Sequence, residues 1–279
     1  MKKPLLGALS ASLLAGTAAL AGAAPASAAS VTAPAVTVDF AGTVALSNCS
    51  GSLVRMPGST ASDPALVMTN GHCLETGMPG AGEVVVNQSS NRSFTLLSST
   101  GGRLGTVRAS KVAYATMTDT DVTVYQLSSS YATITSRYGI KPLTLSTTHP
   151  AAGAGIKVVS GYWKKIYSCN VDGFVYRLKE GEWTFKDSVR YTSACDTIGG
   201  TSGSPVVDTA SGQVVAINNT GNENGERCTV DNPCEVAADG TVTVRQGINY
   251  AQETYSIPAC FGPGNKLDLT RAGCVLPRP

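Results

Sequence analysis

The chain of 279 residues is 42% hydrophobic and only 14% charged, with 30 glycines. That balance excludes a disordered polymer and leaves room for one large all-β unit or two small domains. Abundant Ser, Thr, Val and Gly favour strands and tight turns over surface helices.

The opening segment reads apart from the fold. Lys2 and Lys3 precede an apolar run from Leu5 to about Leu20, and Ala26-Ser27-Ala28 fits a signal-peptidase site. Residues 1–28 are therefore expected to be a signal peptide, whose Ala-, Gly- and Pro-rich tail suits cleavage better than anchoring. No later stretch is long and apolar enough to span a bilayer. Removing Lys2 and Lys3 from 21 basic residues leaves 19 against 19 acidic ones. A near-neutral mature chain argues against nucleic acid or an anionic surface as partner. A secreted, extracellular protein, free of the membrane after cleavage, is the expectation. Eight cysteines in an exported chain read as disulfides, and consecutive pairing is the simplest arrangement. Zinc competes with that reading, but there is no Cys-x2-Cys and the chain has only two histidines, so no metal is expected.

Strand-like runs then follow: TVALS (43–47), ALVMT (65–69), EVVVN (83–87), SFTLLSS (93–99), DVTVYQL (121–127), IKVVSGYW (156–163), GFVYRLK (173–179), EWTFKDSVRY (182–191), PVVD (205–208) and QVVAINN (213–219). None shows a helical period. Short strands between Gly-rich turns imply a sandwich or barrel. RLKEGEWTF (177–185) reads as a hairpin turning at Glu180-Gly181. Cys169 and Cys195 lie outside its strands, and a Cys169–Cys195 bridge would contribute on the order of 3 kcal/mol by closing that loop. A natural midpoint falls at residues 128–150. After Ser256 the chain becomes Pro- and Gly-punctuated, an extension stapled by Cys260–Cys274, which leaves Cys228–Cys234 as the remaining short-range pair.

The segment CDTIGGTSGSPVVD (195–208) holds Ser202 and Ser204 among glycines. A serine becomes a useful nucleophile only when a base takes its proton and something aims that base. His149 sits among turn residues in STTHPAAG and reads as a surface loop. His72, in TNGHC, emerges where the apolar run ALVMT ends. Of the two acids in MTDTDVTVYQL, Asp121 directly precedes the alternating run, whereas Asp119 falls in the preceding turn. Histidine, acid and serine then follow in that order, 49 and 81 residues apart.

Together these motifs resemble the chymotrypsin-like (trypsin-fold) serine peptidases, particularly the bacterial branch that includes the glutamyl endopeptidases. NCSGSLV (48–54) is similar to that family's Cys-Gly-Gly-Ser-Leu-Ile and TNGHC to its Thr-Ala-Ala-His-Cys. DVTVYQL is similar to its Asp-Ile-Ala-Leu-Leu, and GTSGSP to its Gly-Asp-Ser-Gly-Gly-Pro. The resemblance spans roughly residues 38–255 and implies two perpendicular six-stranded antiparallel β-barrels with the active site between them. Residues 29–140 would form the barrel carrying His72 and Asp121, and 141–256 the barrel carrying Ser202. Residues 257–279 would form the extension. It further implies Ser202 as nucleophile, His72 as base, Asp121 as its orienting acid, and the N–H groups of Gly200 and Ser202 as oxyanion hole. Ser204 would be structural and Cys49 bridged to Cys73. The activity implied is peptide-bond hydrolysis by a monomer acting on polypeptides without a cofactor.

Departures from the family pattern are informative. The Arg-Ile-Val-Gly-Gly activation motif is missing, and Thr201 replaces the aspartate that receives the freed N-terminus. Asn70-Gly71 stands for Ala-Ala, a change expected to be tolerated, and Ile198 stands where trypsins carry a cysteine. Asp196, six residues before Ser202, matches the acid at the base of the trypsin pocket and would select basic side chains. Small or apolar selectivity stays equally open. Acidic selectivity is disfavoured, because Asn218 stands where glutamyl endopeptidases place a histidine. Two other readings remain: an inactive peptidase-like binding protein, and calcium stabilisation through GNENGE (221–226), whose spacing fits a solvated turn better than a calcium loop.

Overall fold

The computed structural model describes residues 36–279, so the expected signal peptide at 1–28 lies outside the described residues. The first half supplies β1 (Thr43–Ala45), β2 (Ser50–Arg55), β3 (Pro64–Thr69), β4 (Val84–Ser89), β5 (Ser93–Leu97), β6 (Arg103–Thr116) and β7 (Val122–Ser130). These are followed by α1 (Tyr131–Tyr138) and β8 (Leu143–Thr144). Strands pair in the order β1-β5-β6-β7-β3-β2, and β1 pairs again with β2, closing a six-stranded barrel. β4 is added alongside β6, and β8 runs parallel to β2.

The second half supplies β9 (Gly155–Ser160), β10 (Lys165–Val175), β11 (Arg177–Glu180), β12 (Trp183–Phe185), β13 (Ser188–Tyr191), β14 (Pro205–Asp208) and β15 (Val214–Gly221). β16 (Cys234–Val236), β17 (Val242–Val244) and β18 (Asn249–Glu253) complete it. β10-β13-β18-β15-β14-β9 close a second six-stranded barrel, while β12-β11-β16-β17 form a separate sheet. The architecture is mostly β, two closed antiparallel barrels, as the family resemblance implied.

Alternation explains how the barrels pack on each other. In β3, Ala65 and Val67 point into the first barrel's core beside Leu53, Phe94 and Tyr125. Leu66 and Met68 point outward and are equally buried, because they meet Val159, Val207, Val214 and Ile217 of the second barrel. An apolar layer on both faces of a strand is what a run such as ALVM requires. Truncating Leu66 would cost about 2–5 kcal/mol on the scale of buried Leu→Ala changes. The extension after Ser256 joins this inter-barrel layer through Ile257, Phe261 and Leu276. Asn265 fastens it to the first barrel, accepting from Ser59 and donating to the Pro64 carbonyl and the Tyr131 hydroxyl.

Four disulfides join Cys49–Cys73, Cys169–Cys195, Cys228–Cys234 and Cys260–Cys274, all neighbours in sequence order. Two local expectations need correction. A helix does form, at Tyr131–Tyr138, capped by the Ser130 side chain and closed by Gly139 in the left-handed conformation. The hairpin pairs Glu180 with Trp183, so the turn is Gly181-Glu182 rather than Glu180-Gly181.

Candidate active site

His72, Asp121 and Ser202 line one open cavity between the barrels. His72 sits just past the end of β3 and Asp121 just before β7, two neighbouring antiparallel strands, so their side chains meet. The Asp121 carboxylate is fully buried, and its Oδ2 lies 2.6 Å from His72 Nδ1. Its Oδ1 accepts the His72 backbone N–H at 3.0 Å, and its own carbonyl accepts from Asn70 Nδ2 at 2.9 Å. Ring and acid are therefore held at both ends. Gly71 makes this approach possible: a Cβ there would lie 2.1 Å from the Thr116 carbonyl and 2.9 Å from Asp121 Oδ1. The Asn70-Gly71 pair, expected to be tolerated in place of Ala-Ala, is accommodated here, and Gly71 is sterically required.

Asp119 lies in the preceding turn, at φ 59°, and pairs with Lys186. His149 is exposed and paired with Glu253, the last residue of β18, and neither lines this cavity. Cys49, His72 and Cys73 bring three potential metal-binding atoms within 4.8 Å, but the two sulfurs are bonded to each other and offer no thiolate.

Burial alone would lower the His72 pKa. The charge and hydrogen bond of Asp121, with Glu180 and Asp231 adding at longer range, outweigh it and leave the imidazole above its ordinary 6.5. Ser202 follows a tight loop in which Gly200 has φ 87°. A Cβ at Gly200 would also lie 2.9 Å from the Tyr162 ring, so glycine is needed for both conformation and space. The Ser202 hydroxyl donates to the Asn219 carbonyl at 3.4 Å. Among the described residues the backbone N–H groups of Gly200 and Ser202 engage no acceptor. Trp163 donates its indole N–H to the Gly199 carbonyl at 2.7 Å, and Ser50 Oγ donates to the Gly200 carbonyl at 3.1 Å. A trans peptide points its C=O and N–H in opposite directions. Fixing the Gly199 carbonyl on the Trp163 side therefore turns the Gly200 N–H the other way. Ser204 is buried and spends its hydroxyl on the Thr201 carbonyl at 2.6 Å.

The two residues expected in the specificity pocket part company. Asn218 lines the cavity, buried, with Nδ2 on Thr201 Oγ1 at 3.1 Å. Asp196 does not line it: its side chain is exposed, and its neighbour Thr197 is the residue buried in the wall, bonded to Asn249 at 2.9 Å. The loop's register turns Asp196 to solvent, which removes it as a buried acid for basic side chains. A buried acid outside the triad that does line the cavity is Glu180, on β11, read from sequence only as part of a hairpin turn. GNENGE contributes Gly221 and Glu223 to the rim.

A family model described as "Trypsin-like peptidase domain" matches residues 49–217. The chain belongs to that family of trypsin-like peptidases. Among curated protein sequences none matches it. Among solved structures it is similar to the M. tuberculosis Rv3671c protease in its active form, at 16% identity and a TM-score of 0.47 over 85% of this chain and 82% of that one. It is also similar to the MamO protease domain of Magnetospirillum magneticum, at 14% identity and a TM-score of 0.48, over 78% and 94%. A third, Nocardiopsis protease, gives 13% identity and a TM-score of 0.42, over 77% and 93%.

Proposed function

We propose that this chain is a secreted serine endopeptidase that works through Ser202, His72 and Asp121. The observation that carries the reading is the buried Asp121 held 2.6 Å from His72 in the same cavity as Ser202, beside two backbone N–H groups with no acceptor. On this reading, rotation of the Ser202 side chain away from the Asn219 carbonyl presents Oγ to His72 Nε2. Resting enzymes often show such bonds loosened. Oγ then attacks the amide carbon while His72 takes its proton, and Asp121 stabilises the imidazolium. The N–H groups of Gly200 and Ser202 receive the carbonyl oxygen as it gains negative charge. His72 returns the proton to the leaving amine as the C–N bond breaks. Water, deprotonated by the same imidazole, then hydrolyses the acyl-enzyme and regenerates Ser202.

The domain division is proposed in the same way: 29–140 carrying His72 and Asp121, 141–256 carrying Ser202, and 257–279 as an extension bound to the first barrel. Four disulfides suit an oxidising, extracellular setting. Among the described residues no helix is long and apolar enough to cross a membrane. The test is covalent labelling with an organophosphonate probe, located by peptide mapping. Labelling of Ser202 that vanishes in Ser202→Ala and in His72→Ala supports the reading. A folded chain that takes no label is instead the inactive binding protein.

A further inference from the structure

The cavity that holds the triad is acidic in a way the triad does not use. It has a volume of about 100 Å³ and opens to solvent, so a long side chain can enter from the open side. Glu180, Glu223 and Asp231 line it together with Asp121, and among the described residues no Lys or Arg does. Of the three acids outside the triad, Glu180 is the buried one, 8% exposed. Both of its hydrogen bonds go to one oxygen: Oε1 accepts from Thr220 Oγ1 at 3.0 Å and from the Asp231 N–H at 2.8 Å. Oε2 takes none among the described residues. Thr220 follows directly on Asn219, whose carbonyl holds the Ser202 hydroxyl, so this carboxylate stands close to the reacting serine.

The wall of the cavity is polar beside these acids. Asn218 and Asn219, 2% and 4% exposed, line the same cavity. Each leaves a buried polar atom without a partner, the acceptor Asn218 Oδ1 and the donor Asn219 Nδ2. Burial also lifts the Glu180 carboxyl to about 7, against the opposing pull of its two donors and His72. A carboxylate so poorly solvated gains most from an incoming cation.

Resting on the peptidase reading, we infer that Glu180 is the specificity-determining residue of the cleft and takes the lysine or arginine side chain of a basic peptide substrate. Oε2 accepts from the ammonium or guanidinium, and Glu223 and Asp231 add negative potential at the rim. The same charges disfavour acidic peptides. Asp196, exposed and outside the cavity, has no part in it.

The experiment measures binding, so that it does not depend on turnover. Ser202→Ala protein is titrated with fluorescent peptides identical except for lysine, arginine, norleucine or glutamate at each position flanking the intended scissile bond. Lysine and arginine peptides should bind about tenfold or more tightly than norleucine at one position, as expected of a charge-assisted hydrogen bond. Glutamate should bind worst. Adding Glu180→Gln should erase that preference, while Asp196→Ser should keep it. Gln Oε1 can accept both existing hydrogen bonds, so the variant is expected to fold, and a melting curve checks that. Equal binding of lysine and norleucine peptides overturns the inference without any variant, and so does a preference that survives Glu180→Gln. Basic preference without organophosphonate labelling would sink the catalytic reading and leave the inference standing.

Discussion

Trp163→Phe isolates one hydrogen bond of the loop proposed to supply the oxyanion hole. Phenylalanine keeps a ring beside Tyr162, whose edge-to-face contact has centroids 5.0 Å apart, but it removes the indole N–H that holds the Gly199 carbonyl at 2.7 Å. The Gly199–Gly200 peptide then loses one of its restraints, while Ser50 still donates to the Gly200 carbonyl. A neutral hydrogen bond contributes about 1 kcal/mol net, which corresponds to about fivefold in the population of correctly turned peptide. The ceiling is total loss of one oxyanion donor, about a hundredfold or more in kcat. Because Trp163 is half exposed, water can replace the indole and the smaller figure applies. The oxyanion's charge exists only in the transition state, so the loss should fall on kcat with KM unchanged. Steady-state hydrolysis of a chromogenic peptide reads both. A raised KM with unchanged kcat would refute the reasoning, since it would place Trp163 in substrate binding instead.

Three other outcomes follow from the same geometry. Activity should rise with pH along a limb lying above 6.5, because His72 must be neutral to accept a proton and its pKa is raised; Glu180→Gln should move that limb down, since the Glu180 charge contributes to the rise. Glu180 itself has a folded pKa of about 7 against 4.5 unfolded, so its favourable contribution is complete below 4.5 and is lost as pH climbs through 7. The difference amounts to about 3 kcal/mol, and Glu180→Gln should raise Tm above pH 7 while changing it little below 4.5. Gly71→Ala should remove activity and lower Tm, because its Cβ would sit 2.1 Å from a backbone carbonyl; a fully active, normally melting variant would show that the β3–His72 turn can shift.

The parts of the fold legible in sequence are those with short-range signals. His72, Asp121 and Ser202 sit at strand ends marked by an apolar run, an alternating run and a glycine loop, so their order was readable. The longest strand, β6 (Arg103–Thr116), was not, because Lys and Arg interrupt its pattern and register shifts at Ala109/Lys111 and Val112/Tyr114 break the alternation. The helix Tyr131–Tyr138 hides in β-branched and aromatic residues of middling helix propensity, and only its caps, Ser130 and Gly139, announce it. Asp196 was misplaced because counting residues back from Ser202 does not say which way a loop side chain points. Glu180 was missed for a different reason. Its burial is made by Thr220 and Asp231, 40 and 51 residues away, and no local pattern carries that information.

Among the described residues, the loop that carries Ser202 is fastened without an ion pair. Trypsin-type relatives set this loop with an aspartate that receives a newly freed N-terminal amine. Here that position is Thr201, 2% exposed, whose hydroxyl donates to the Ile198 carbonyl and accepts from Asn218 Nδ2 at 3.1 Å. Ser204 Oγ donates to the Thr201 carbonyl, and the Ser50 N–H donates to the Ser202 carbonyl at 2.8 Å. Every one of these bonds is neutral, and each partner belongs to β2, β15 or the loop itself. A buried threonine offers an incoming amine no counter-charge, and burying an unpaired ammonium there would cost several kcal/mol. The loop should therefore hold its shape whatever precedes Val36, whose own N–H is bonded to the Thr209 carbonyl. Secreted protein bearing a removable tag in front of Val36 should react with the organophosphonate probe at the same rate before and after the tag is cut away. A rate that rises only on cutting would mean that a freed terminus does reach the loop, and that Thr201 is not the end of that switch.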